Sequence, residues 1–179
     1  MRRVVVGGGS CAGKTTFSRA LAARMNVPVI ELDSLFHGPN WTPTATAVFR
    51  ERILAATNGD GWVIDGNYSA IRDVTWGRAD TFIWLDPPAP LVLWRLFKRT
   101  NRRIRSGEEL WNGNRETFRD AYLSGDSLYL WMLRSHWRRK RTWPRILAQP
   151  HYRHLEIHRF RTPRQAERWL AETSAGIAG

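Results

Sequence analysis

The chain reads as an α/β fold in three layers, with a five-stranded parallel sheet covered by helices on both faces. Two observations predict it. Short apolar runs of strand length alternate with stretches of helical periodicity, the order that crossover connections between parallel strands require. Three of those runs stop at an aspartate, Asp33, Asp65 or Asp86, and an open parallel sheet meets its ligands beyond the carboxyl ends of its strands. At 179 residues the sequence suits one domain, expected over 1–173, with a core that needs neither disulfide nor metal. Residues 174–179 are expected to form a loose tail.

The elements follow in order. Arg2 to Val6 is the first strand, and Met1-Arg2-Arg3 passes into it too quickly for a signal peptide. Glycines follow, then a helix from Lys14 to about Met25. Pro28 to Leu32 is the second strand, ending on Asp33. A helix is expected from Pro43-Thr44, carrying Val48, Ile53 and Leu54, with Asn58-Gly59-Asp60-Gly61 as its stop. Trp62-Val63-Ile64 and Thr81 to Leu85 are buried strands ending at Asp65 and Asp86.

From Pro88 to about Arg105 the spacing is helical, with Leu91, Trp94 and Phe97 on one side and Arg95, Arg99 and Arg102 on another. A polar stretch, Ser106 to Asn114, breaks the pattern. Helices are expected at Glu116 to Leu123 and Ser127 to Arg141, a last strand at His154 to Ile157, and a closing helix from Pro163 through Leu170.

Lys and Arg total 28 against 16 Asp and Glu, a net charge of +12 that favours anionic partners: nucleotides, phosphorylated metabolites or nucleic acid. No apolar run approaches the ~20 residues of a membrane span, so no membrane partner is expected. A single cysteine, Cys11, excludes an internal disulfide and points to the cytoplasm.

Gly8-Gly9-Ser10-Cys11-Ala12-Gly13-Lys14-Thr15 matches G-x-x-x-x-G-K-[ST] at every fixed position. Glycines let the backbone wrap a phosphate with its N–H groups, and the helix beginning at Lys14 aims its positive end at the same anion. ATP and Mg²⁺ are the cofactors this implies. Lys14 would reach the β- and γ-phosphates, the Thr15 hydroxyl would hold the metal, and Thr16 completes the binding set. Cys11 takes a free position where a small filler suffices.

With the phosphate loop, Leu32-Asp33, Trp41, Val63-Ile64-Asp65-Gly66-Asn67-Tyr68, Ala79-Asp80-Thr81 and Trp94-Arg95 in this order, the sequence resembles the adenylate-kinase-like P-loop kinases. The likeness runs to about residue 170 and is strongest to their bacterial topology modulation branch. The resemblance implies a P-loop fold like that of the nucleoside monophosphate kinases, with a short helical lid at about 99–119. It implies transfer of the γ-phosphate of ATP to a small-molecule acceptor. By resemblance Asp65 helps hold Mg²⁺ through water, Arg95 and Arg99 embrace the ATP phosphates, and Arg115 acts from the far side of the lid. Phosphoryl transfer rests on such positive charge more than on covalent chemistry.

The pattern also departs from adenylate kinases. An arginine expected soon after Asp33 is replaced by Ser34-Leu35-Phe36-His37, and Asp65-Gly66 is followed by Asn67-Tyr68, leaving Arg72 as the nearest substitute. The acceptor therefore stays open between a monophosphate and a hydroxyl compound. For a hydroxyl, Asp33 would serve as base or orienter beside a wall of Phe36, His37, Trp41 and Tyr68. A nucleic-acid partner is a second reading, since Trp137 to Arg145 interleaves basic and aromatic residues. Arg134, Arg138 and Arg141 in that region equally suit the nucleotide, and an ATP-switched regulator without acceptor is a third possibility. Composition is silent on the oligomeric state.

Overall fold

In the computed structural model, residues 1–107, 109–114 and 128–177 are described. Five parallel strands, β1 (Arg3–Gly8), β2 (Val29–Glu31), β3 (Trp62–Asp65), β4 (Thr81–Leu85) and β5 (Glu156–Phe160), form one sheet in the order β2-β3-β1-β4-β5. The helices are α1 (Lys14–Met25), α2 (Leu32–Phe36), α3 (Thr46–Ala56), α4 (Arg72–Arg78), α5 (Ala89–Ser106), α6 (Leu128–Leu147) and α7 (Pro163–Ile177). The fold class is the expected one.

Strands buried on both faces read as continuous apolar runs because each alternate side chain meets a different helical layer. Val5, Ile64, Phe82 and Trp84 pack with Phe49 and Ile53 of α3, Trp76 of α4 and Trp143 of α6. Val4, Val6, Val63 and Ile83 pack on the opposite face with Phe17 and Leu21 of α1 and Ala166 and Leu170 of α7. The first core is aromatic: Trp76 meets Phe82 at 4.5 Å between centroids and Trp143 and Tyr152 edge-on at 5.7 and 5.4 Å.

Several elements differ from the sequence reading, each for a local reason. β2 stops at Glu31, and Asp33 lies in the first turn of α2, where its carbonyl accepts from the His37 N–H at 3.0 Å. α3 begins at Thr46 because Thr44 donates its N–H to Phe36 O and Pro43 bridges His37, which keeps that stretch extended. α6 continues past Arg141 through Pro144 to Leu147, since Trp143 and Leu147 are both core residues. β5 is shifted to Glu156–Phe160; as an edge strand it leaves Ile157 exposed, which weakens its apolar signal.

α7 runs to Ile177, so the backbone of 174–177, expected as loose tail, is helical; Ala171 and Ala175 favour helix and no proline intervenes. α4, with Val74 and Trp76 buried, was not anticipated. α5 ends at Ser106, one residue past the expected Arg105, capped by Gly107 at φ +60°. Its buried face is Val92, Leu96 and Thr100, whereas Trp94 and Phe97 stack on each other in solvent, 6.1 Å apart. Arg115 and the helix expected over 116–123 lie outside the described residues, as does part of the span 99–119. No helix among the described residues is long and apolar enough to cross a membrane.

Candidate active site

Parallel pairing of β1 with β3 sets Val6 beside Asp65, and pairing of β2 with β3 sets Glu31 beside Asp65. The glycine loop leaves β1 at this junction. Gly8 has no room for a side chain, because a Cβ there would lie 2.7 Å from Leu85 O. Gly13, at φ +96°, turns the chain into α1 and offers no side-chain cap, which leaves the first N–H groups of the helix for an anion. The Asn67 side chain braces the loop by accepting the Gly8 N–H at 3.0 Å.

Thr15 Oγ1 donates to Asp65 Oδ2 at 2.6 Å, so the loop threonine and the acid ending β3 form one unit. Asp65 is 7% exposed, and its Oδ1 is buried without a hydrogen-bond partner among the described residues. Burial pushes its pKa above the ordinary carboxylate value, against the opposing pull of Lys14 and the Thr15 hydrogen bond. An orphaned carboxylate oxygen beside a threonine hydroxyl fits Mg²⁺, a hard cation that takes oxygen ligands and keeps several waters. A protein-only cage is absent: the described residues hold no cluster of three or more His, Cys, Asp or Glu.

Lys14 reaches back across the loop, its Nζ donating to Gly9 O at 2.9 Å. Burial lowers its pKa, opposed by Asp65 and Asp33 and reinforced by Arg139 and Arg99. Arg99 Nη2 donates to Ser10 Oγ at 3.3 Å, and Arg95 Nη1 lies 3.7 Å from where a Cβ on Gly13 would stand. Both arginines therefore stand over the loop from α5. Together with Ser10 to Thr16, Asp33, Asp65, Arg102 and Arg103 they line a cleft of about 1070 Å³.

Arg139 was not anticipated. Its Nη2 would lie 2.8 Å from a Cβ on Gly9, and that nitrogen is buried with no hydrogen-bond partner among the described residues. Burial lowers its pKa to about 10, which still leaves it charged at neutral pH. The available signal was the spacing Met132, His136, Arg139, Trp143, one buried helix face that continues into the core. Arg134, Arg138 and Arg141, proposed from sequence for the nucleotide, are on the exposed face of α6 instead.

Asp33 lines the cleft, and Tyr68 donates its hydroxyl to Asp33 Oδ1 at 2.6 Å. Burial and the Asp33 charge push the Tyr68 pKa far up, so it remains a donor. Phe36 packs against Tyr68 at 4.6 Å, His37 Nε2 is 3.4 Å from the Tyr68 hydroxyl, and Trp41 meets His37 edge-on at 5.3 Å. These aromatics gather behind Asp33 rather than lining the cleft with it. Two other expectations are corrected. Asp86 does not face the cleft, because Arg159 donates to it at 2.6 and 3.1 Å and Lys140 lies at 3.8 Å. The Arg72 guanidinium is spread over the Trp76 ring at 4.9 Å and lies outside the cleft lining.

No protein-family model matches the chain, and no curated protein matches it in sequence. Solved structures do. Shikimate kinase from Bacteroides thetaiotaomicron is 18% identical with a TM-score of 0.54, the alignment covering 99% of each chain. A gluconokinase from Sinorhizobium meliloti 1021 is 18% identical with a TM-score of 0.53, covering 99% of this chain and 95% of the other. Deoxyadenosine kinase from M. mycoides is 10% identical with a TM-score of 0.51, covering 98% of both. At these identities the likeness is one of architecture, and the chain has the fold of the P-loop small-molecule kinases over nearly its whole length.

Proposed function

We propose that this chain is an ATP- and Mg²⁺-dependent phosphotransferase that moves the γ-phosphoryl group onto a hydroxyl of a small acceptor. The observation that carries the reading is the Thr15–Asp65 pair, whose orphaned Oδ1 sits under a complete phosphate loop. Four cations, Lys14, Arg95, Arg99 and Arg139, converge on that loop, more than binding a simple anion needs and suited to the charge that spreads over a transferring phosphoryl group. When bound, Mg²⁺ would neutralise charge on the β- and γ-phosphates, with Thr15 and Asp65 holding it. Arg115 belongs to the same proposal through the resemblance alone.

The choice of a hydroxyl over a monophosphate rests on Asp33 and Arg72. Tyr68 occupies Asp33 Oδ1, while Oδ2 takes no hydrogen bond from the described residues and is the atom to orient an acceptor O–H and receive its proton. The bond formed is acceptor oxygen to γ-phosphorus, the bond broken joins that phosphorus to the β–γ bridging oxygen, and ADP departs. Arg72, engaged on Trp76, does not supply a grip for an acceptor phosphate. A cytoplasmic setting accords with this chemistry.

The test is a transfer screen with γ-labelled ATP against nucleosides, nucleoside monophosphates, sugars and aminoglycoside-like alcohols. Label on a hydroxyl compound is the expected result. Label only on monophosphates would replace the acceptor class, and nucleotide binding with no transfer at all would favour an ATP-switched regulator. A nucleic-acid partner on the exposed basic face of α6 would instead show steeply salt-dependent RNA or DNA binding.

A further inference from the structure

Residues 37–42, between α2 and α3, fold back on themselves in an unfavourable way. The Gly38 N–H donates to Thr42 O at 2.8 Å, and the Thr42 N–H to Pro39 O at 3.2 Å. Between them Asn40 and Trp41 both adopt left-handed backbone, at φ +54° and +56°. Such conformations are costly in non-glycine residues and persist only where surroundings impose them. A β-carbon as encumbered as tryptophan's makes the second of these the harder to explain from local sequence.

The imposing group comes from about seventy residues away. Asn114 is 3% exposed and uses both ends of its amide on this turn: Oδ1 accepts the Trp41 N–H at 2.7 Å, and Nδ2 donates to Gly38 O at 3.0 Å. Asn112 Nδ2 donates to His37 O beside it. Asn112 and Gly113 are themselves left-handed, at φ +57° and +79°, and the Leu110 N–H closes their turn onto Asn114 O at 2.7 Å. Two strained turns thus hold each other face to face.

Each turn leads to a different half of the site. On one side His37 lies 3.4 Å from the Tyr68 hydroxyl, which holds Asp33. On the other, Glu109 and Leu110 line the cleft with Arg95 and Arg99 of α5. We infer that Asn114 is a positioning residue that ties the turn beside Asp33 to the arm above the phosphate loop, so that nucleotide binding is transmitted to the acceptor side. The inference deepens the proposed transfer and relies on it for the identity of the two sides.

Hydrogen exchange of the intact chain, with and without a saturating non-hydrolysable ATP analogue and Mg²⁺, tests it. In the wild type the analogue should slow exchange over 37–42 by roughly 5–10-fold, the size of an ordinary coupling between sites. Asn114→Ala should bind the analogue within about twofold of wild type and lose that protection, and it should raise the acceptor KM roughly tenfold with little change in the ATP KM. Asn114→Asp keeps the acceptor for the Trp41 N–H and should restore part of the protection. Should Asn114→Ala fail to fold, the exposed Asn112→Ala carries the same readout in weaker form. Protection over 37–42 that survives Asn114→Ala, or that is missing in the nucleotide-bound wild type, overturns the inference. Absence of transfer to any acceptor would overturn the kinase reading instead, because the exchange measurement needs nucleotide alone.

Discussion

Lys14 is the loop's own cation, and its ammonium rests on Gly9 O in a spot that burial makes costly for a charge. Lys14→Ala should therefore abolish transfer, lowering kcat/KM by about 10³-fold or more, while circular dichroism and Tm show an intact fold. Turnover by a folded variant would remove the loop assignment. For Asp33→Asn the amide oxygen can still accept from Tyr68, so structure should persist, but a base is lost. On a hydroxyl acceptor kcat should fall roughly 10²-fold with the ATP KM unchanged; an unaltered kcat would refute Asp33 and leave Asp65 as the next acid to test. The loop residues were legible because their chemistry is local, each glycine, lysine and threonine acting at a fixed offset in one turn. Asn67, Arg139 and Asn114 were not, because each acts on backbone 59 to 130 residues distant that only packing brings near.

Among the elements, α6 shows where the periodic signal misleads. The helix was expected to stop at Arg141, yet one stripe of it carries both Trp143 into the aromatic core and Arg139 to Gly9. The two residues separate folding from chemistry within one helix. Trp143→Ala removes a buried ring packed on Trp76, Phe82 and Trp84 and should cost about 3–5 kcal/mol in urea unfolding. Arg139→Met leaves the packing of its stem and removes a buried charge whose Nη2 has no hydrogen-bond partner among the described residues. It should match or exceed wild type in Tm but lose at least about tenfold in kcat/KM for transfer. Loss of stability in both variants would mean that the guanidinium serves the fold. β5 and α2 misled for a related reason: edge strands and one-turn helices bury too little for periodicity to register.

At the scale of the molecule, the two cores and the sheet hold Asp65 buried whether or not a cation neutralises it, which makes the acid a cost to the ligand-free fold. Its folded pKa is raised, so between the unfolded carboxylate value and that raised value the folded chain binds more protons than the unfolded one. Stability from this group therefore falls as pH rises through that window and stays reduced at neutral pH. Asp65→Asn keeps an acceptor for Thr15 and removes the charge, and it should raise the Tm of the ligand-free protein at pH 7. A gain of about 1 kcal/mol corresponds to roughly 2–4 °C in a chain of this size. The gap should narrow as pH is lowered through that window and close only below the unfolded carboxylate value of 3.8, where the carboxyl is protonated in both states. Ligand reverses the order. Wild type with ATP and Mg²⁺ at about 100 times Kd should gain roughly 2.7 kcal/mol, whereas Asp65→Asn should gain less than half of that and show no dependence on the metal. The measurement is Tm at pH 4 to 8 for both proteins, with nucleotide alone and with nucleotide plus Mg²⁺. A variant less stable than wild type without ligand, or one that keeps the full metal-dependent shift, would show that Asp65 is a structural acid paired with Thr15 and that the cation is held elsewhere.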